Sequence, residues 1–135
     1  MNNVLDGLSH LSIRERLAVT KLLDRLEHEH SQTVLQVMLY GSGARGGRRA
    51  DSDVDLLIIT RRDDWREQEP IRLLAARFSN EYDVFLSTRV MSLSHYLRMQ
   101  NVQPLFYQSM RRDAIVLLRL SDDVEALQRR PLTAS

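Results

Sequence analysis

Apolar residues recur along this chain with two different periods. Between residues 9 and 29, Ala18, Val19, Leu22, Leu23 and Leu26 stand at helical spacing and form one stripe. Ser12-Ile-Arg-Glu15 has the form of a capping box, with Ser9 an equal candidate for the cap. From 33 to 40 the period shortens: Leu35, Val37 and Leu39 alternate with Val34, Gln36, Met38 and Tyr40. Both faces are largely apolar, which predicts a strand inside a sheet. A second strand is predicted over 53–60, with Asp53, Asp55, Leu57 and Ile59 on one face. After a charged connection over 61–69, Ile71, Leu74, Ala75 and Phe78 predict a helix to about Asn80. Pro70 falls near its first turn or divides loop from helix. Tyr82, Val84 and Leu86, alternating with Asp83 and Phe85, predict a third strand over 81–87. Ser92 is placed to cap a short helix holding Leu93, Tyr96 and Leu97, with His95 and Arg98 three apart on it. Another helix is predicted over 101–112 and a last strand over 114–119, before a polar end that frays after one short helix.

That order predicts an α/β (α+β) domain: a small mixed β-sheet with helices packed on one face. One domain is expected over 1–135, with its core at about 34–118 and an N-terminal helix at about 9–29. No internal repeat, low-complexity segment or linker interrupts it.

Composition narrows the possible roles. With 43% apolar residues the chain can bury a sizeable core, yet no apolar run reaches the length of a membrane span. The opening M-N-N-V-L-D-G-L lacks the basic-then-apolar form of a signal peptide, and a cytoplasmic protein is expected. The absence of cysteine excludes disulfides, thiol catalysis and cysteine-bound zinc. The balance of 19 basic to 18 acidic residues gives no strong global pull toward nucleic acid or membrane, and direct binding to either is not expected. All the basic residues but Lys21 are arginine, dispersed along the chain, which fits genomic bias better than a phosphate-binding role. His28 and His30 are two apart on a helix end, the wrong spacing for shared metal binding, and suit the negative end of the helix dipole.

The chemistry concentrates between Tyr40 and Thr60. Gly41 to Arg49 hold four of the five glycines, and a helix beginning near Ser42 would aim backbone N–H groups at an anion. Asp53 and Asp55 then project side by side from one strand. Two carboxylates that close repel and raise each other's pKa, a cost that a divalent cation removes. Mg²⁺ suits such a site because it takes one or two carboxylates and fills its shell with water and phosphate oxygens. Taken singly, Gly-Ser after a strand is an ordinary turn and D-x-D an ordinary solvated strand end. Their order and spacing, G41-S42, ten residues, then D53-V-D55, are what make them specific.

That pattern resembles the polymerase-beta-like nucleotidyltransferases, and A44-R45-G46 with D51-S52-D53-V-D55-L resembles their minimal nucleotidyltransferase (MNT) family, over about residues 34–118. The resemblance implies the antitoxin half of a HEPN/MNT toxin–antitoxin pair. It implies transfer of AMP from ATP to a tyrosine hydroxyl of a HEPN ribonuclease toxin, with which the chain would form a hetero-oligomer. Asp53, Asp55 and a third carboxylate on a later strand, Asp83 in Y82-D83-V84-F85-L86, would be catalytic and would hold one or two Mg²⁺ ions, which Mn²⁺ could replace. Gly41, Ser42, Arg45 and Gly46, with Arg48 and Arg49 less directly placed, would bind the nucleotide. Two other functions stay open: a small-molecule nucleotidyltransferase of the aminoglycoside type, and a catalytically vestigial antitoxin that neutralises by binding alone. The residues after Asp83 are expected to leave little material for walling a small-ligand pocket, so that the triphosphate groove opens onto surface. Trp65 is left either capping the core or lining a partner surface.

Overall fold

A computed structural model describes residues 8–40 and 53–128. Within them the order is α1 (Ile13–Glu29), β1 (Val34–Tyr40), β2 (Val54–Thr60), α2 (Trp65–Glu81), β3 (Leu86–Ser92), α3 (Leu93–Val102), α4 (Pro104–Asp113), β4 (Ile115–Arg119) and α5 (Asp123–Gln128). The strands form one sheet in the order β3-β2-β1-β4. β1 is antiparallel to β2 and β4, whereas β2 and β3 are parallel. A parallel pair needs a long crossover, and α2 supplies it. The α+β class with a small mixed sheet is therefore the one expected.

The expected cover of one face is only half of the arrangement. Leu56 and Ile58 of β2 face a core with Val19, Leu22 and Leu26 of α1 and Ile71, Ala75 and Phe78 of α2. Leu57 and Ile59 face the opposite way, into a second core with Tyr96 and Met99 of α3, Tyr107 and Met110 of α4, and Val124 of α5. Helices thus lie on both faces. The physical reason is in β1 and β2, which are apolar on both sides and would leave one side in water under a single helical layer. Full burial of each such Leu or Ile contributes about 1.5–3 kcal/mol. The edge strands are less buried: β3 alternates over its first four residues and is buried over its last three, and in β4 only Leu117 is fully buried.

Local chemistry sets the element ends. The Ser12 hydroxyl accepts from the Glu15 N–H at 3.2 Å, and the Glu15 carboxylate accepts from the Ser12 N–H at 2.8 Å, so Ser12 rather than Ser9 starts α1. α2 begins earlier than its apolar stripe suggests, capped by Asp64, whose carboxylate accepts from the Arg66 N–H at 3.0 Å. Pro70 therefore lies inside α2, in its second turn, and not at its start. Trp65, on the first turn, is exposed rather than capping the core.

The largest departure follows α2. The expected strand over 81–87 is displaced to Leu86–Ser92, because residues 82–84 close the helix instead. Asp83 takes φ = 54°, its N–H donates to the Asn80 carbonyl at 3.3 Å, and the Val84 N–H donates to the Ser79 carbonyl at 2.9 Å. This is a Schellman ending, with Asp at the left-handed position that glycine usually takes. Val84 then packs on the first core, which holds Phe78.

Candidate functional site

Asp53 and Asp55 stand at the start of β2, where the sheet positions them. The Val54 N–H between them donates to the Phe85 carbonyl at 2.8 Å. Asp55 pairs across with Tyr40 on β1 and with Ser87 on β3. Asp55 shares a strand face with Leu57 and Ile59 and so lies on the α3–α4 side of the sheet, whereas Asp53, just before the strand, lines a groove with Ala76, Ser79 and Asn80 of α2. Asp53 is exposed and Asp55 half-buried. The expected nucleotide-binding residues Gly41, Ser42, Arg45 and Gly46, with Arg48 and Arg49, lie outside the described residues.

Asp83 is not mid-strand among apolar neighbours. It sits in the turn after α2 with its side chain 94% exposed, 3.6 Å from the Arg14 guanidinium. The charge there carries no burial cost that would need a catalytic reason. Asp83 and Asp53 do line one open groove of ≈ 500 Å³, together with Ser79, Asn80, Phe85 and Ser87. Among the described residues no group of three or more His, Cys, Asp or Glu is placed to hold a metal, so the three carboxylates do not converge as one set. Asp53 and Asp55 by themselves fit Mg²⁺: two carboxylates two apart on a strand, one open to water, meet its modest demand for protein ligands.

The neighbours of this pair went unread in the sequence. Tyr40 is half-buried, and its phenol is pushed above the ordinary value by that burial; the Arg89 guanidinium opposes the shift and the Asp55 carboxylate adds to it. Tyr40, Asp55 and Arg89 therefore form one electrostatic group across three strands. The signal for Arg89 was the alternation of Ser87, Arg89 and Met91 on one face, visible only once β3 starts at Leu86. A second groove, of ≈ 410 Å³, opens beside it between β3 and α3, walled by Arg89, His95, Arg98, Met99, Val102 and Gln103 among others. Residues after Asp83 thus wall more space than their number suggested, although the groove beside Asp53 is open to the surface.

Against known proteins, residues 19–115 match the model of the nucleotidyltransferase domain, and this chain belongs to that family. The narrower resemblance to minimal nucleotidyltransferases falls within it. A Methanocaldococcus jannaschii protein named "Putative protein adenylyltransferase" is 40% identical over 53 residues, which cover 38% of this chain and 54% of that protein. The chain therefore matches about half the length of that curated relative. A solved structure of a toxin–antitoxin with AMP-PNP contains a chain similar in shape, with TM-score 0.49 and 18% identity over 82% of this chain and 77% of its own. Among the described residues no helix is long and apolar enough to cross a membrane.

Proposed function

We propose that this domain transfers AMP from ATP to a tyrosine hydroxyl of a cognate HEPN ribonuclease toxin and so acts as its antitoxin. The observation that carries the reading is Asp53 and Asp55, two apart at the start of β2, with Asp53 lining a groove open to the surface. The family and the name of the M. jannaschii relative support nucleotidyl transfer, and the motif resemblance supplies the toxin.

The acceptor oxygen would form its bond to the α-phosphorus as the bond from that phosphorus to the bridging oxygen breaks, releasing pyrophosphate. Asp53 and Asp55 would hold Mg²⁺, which when bound supplies positive charge to the triphosphate and to the attacking and leaving oxygens. Asp83 lines the same groove as Asp53, and in this reading its exposed carboxylate takes the proton of the acceptor hydroxyl. An open groove positions an acceptor poorly by itself, and a docked protein brings its hydroxyl on a scaffold of its own. No covalent enzyme intermediate is needed.

The test is incubation of the purified protein with labelled ATP and Mg²⁺, first with the protein encoded beside it and then with a panel of aminoglycosides. Label on a partner tyrosine, lost on its change to Phe, is the expected result. Efficient labelling of an aminoglycoside and of no protein would establish the small-molecule reading instead. Tight partner binding with no transfer to anything would establish neutralisation by binding alone.

A further inference from the structure

We propose that the groove between β3 and α3 is a docking site for an acidic segment of a protein partner, one in which apolar side chains interleave with Asp or Glu. The groove has ≈ 410 Å³, and among the described residues that line it are Arg89, His95 and Arg98 but no Asp or Glu. Arg89 comes from an edge strand of the sheet. His95, Arg98 and Val102 follow one another at three- and four-residue steps on α3, so they share one helix face turned to the groove. His95 and Arg98 are exposed.

The rim is apolar where water should be. Val102 is 74% exposed and Leu105 81%, at the junction of α3 and α4, and Phe106 is 38% exposed. The Arg89 guanidinium lies 5.5 Å from the Phe106 ring centroid, which joins this apolar patch to the cationic wall. Methionine at the floor, Met91 and Met99, adapts its shape to a varied occupant. A surface with cations along one side and exposed apolar groups along the other is complementary to an acidic, amphipathic peptide.

Nucleic acid fits less well. The chain carries a formal net charge of +1, so the positive groove is a local feature and not part of a basic face that could follow a phosphate backbone. Position also favours a partner segment. Arg89 stands two residues beyond Ser87, which pairs with Asp55, and both point to the same side of the sheet. A segment seated against Arg89 and Arg98 would run toward the two carboxylates. In this respect the proposal rests on the reading of the domain as one that modifies a protein, but its binding step requires neither nucleotide nor metal.

Fluorescence anisotropy tests it with three probes: a labelled peptide alternating Glu and Leu around one Tyr, the same peptide with Lys for Glu, and a single-stranded RNA oligonucleotide. The acidic peptide should bind saturably, and more weakly as NaCl rises from about 50 to about 500 mM, since that shortens the screening length severalfold. Arg98→Glu should weaken it by about tenfold or more and Arg98→Lys far less, because the charge is exposed and the wall is otherwise intact. Circular dichroism of each variant confirms the fold. Equal binding of the Glu and Lys peptides, acidic-peptide binding indifferent to Arg98→Glu, or tighter and Arg98-dependent binding of the RNA would overturn the proposal. The Asp53→Asn, Asp55→Asn double variant should bind the acidic peptide at least as tightly as the parent does, because it removes two negative charges toward which the segment runs. Peptide binding without any nucleotidyl transfer would therefore sink the transfer reading alone, and transfer to a partner unaffected by Arg98→Glu would sink this one alone.

Discussion

Asp83 now has two possible reasons to be an acid, and a substitution series separates them. Its backbone is left-handed, at φ = 54°, in the turn that ends α2. An ordinary L-residue loses about 1–2 kcal/mol in that conformation, Asp and Asn less, and Gly nothing. Its ion pair with Arg14 is between side chains 68% and 94% exposed, so solvent screens it and little stability depends on it. Asp83→Asn should thus change stability by no more than about 0.5 kcal/mol, as for most surface substitutions. Asp83→Gly should match or slightly exceed the parent, and Asp83→Val should lose about 1–2 kcal/mol, since a β-branched residue fits the left-handed region worst. Urea unfolding measures all three. Activity should follow a different order. If the carboxylate takes the acceptor's proton, Asp83→Asn and Asp83→Gly fold normally yet lose about a hundredfold or more in transfer, the usual contribution of a general base. Single-turnover transfer of label from ATP to the co-encoded partner, with ATP binding followed by calorimetry, gives both numbers. Transfer by Asp83→Asn within about threefold of the parent would refute the catalytic role and leave Asp83 a turn residue. Equal loss of ATP binding and transfer would move it to the nucleotide's side of the site.

Asp53→Asn and Asp55→Asn should each cut transfer by at least about a hundredfold, the loss expected of a main electrostatic stabiliser, and near-normal transfer by both folded variants would refute the metal assignment. Tyr40 should ionise above its ordinary value of 10.0, as read by tyrosinate absorbance against Tyr40→Phe; Arg89→Ala should raise it further and Asp55→Asn lower it. Because the folded value lies above the unfolded one, this contribution to stability is complete below about pH 10 and is lost as pH rises through the folded value. Thr60 is fully buried; its hydroxyl accepts from the Gln68 amide at 3.1 Å and donates to the Arg62 carbonyl at 3.0 Å. Thr60→Val should therefore cost about 1–3 kcal/mol by stranding the buried Gln68 amide, and a double-mutant cycle with Gln68→Leu should show coupling; strict additivity would refute the interaction.

The sequence by itself determined the elements whose signals are local. The stripe of α1, the Ser12–Glu15 box, the Ser92 cap and the alternation of β1 depend on neighbours within one or two turns, and each lies within a few residues of where its pattern places it. The carboxylate pair was legible for the same reason, since residues two apart on a strand share a face whatever the rest of the chain does. The tertiary structure decided what depends on partners far along the chain. A strand apolar on both faces demands cover on both, but only packing reveals that α1 and α2 supply one layer and α3, α4 and α5 the other. Residues 82–84 carry an alternation that satisfies a strand template, and the left-handed Asp83 resolves it as a helix ending because the Ser79 and Asn80 carbonyls need donors there. That choice moves β3 by five residues at its start, from the expected 81 to Leu86, and so sets Ser87 beside Asp55 and Arg89 on the same face. Register between strands is fixed by long-range hydrogen bonds and burial, which no local pattern contains.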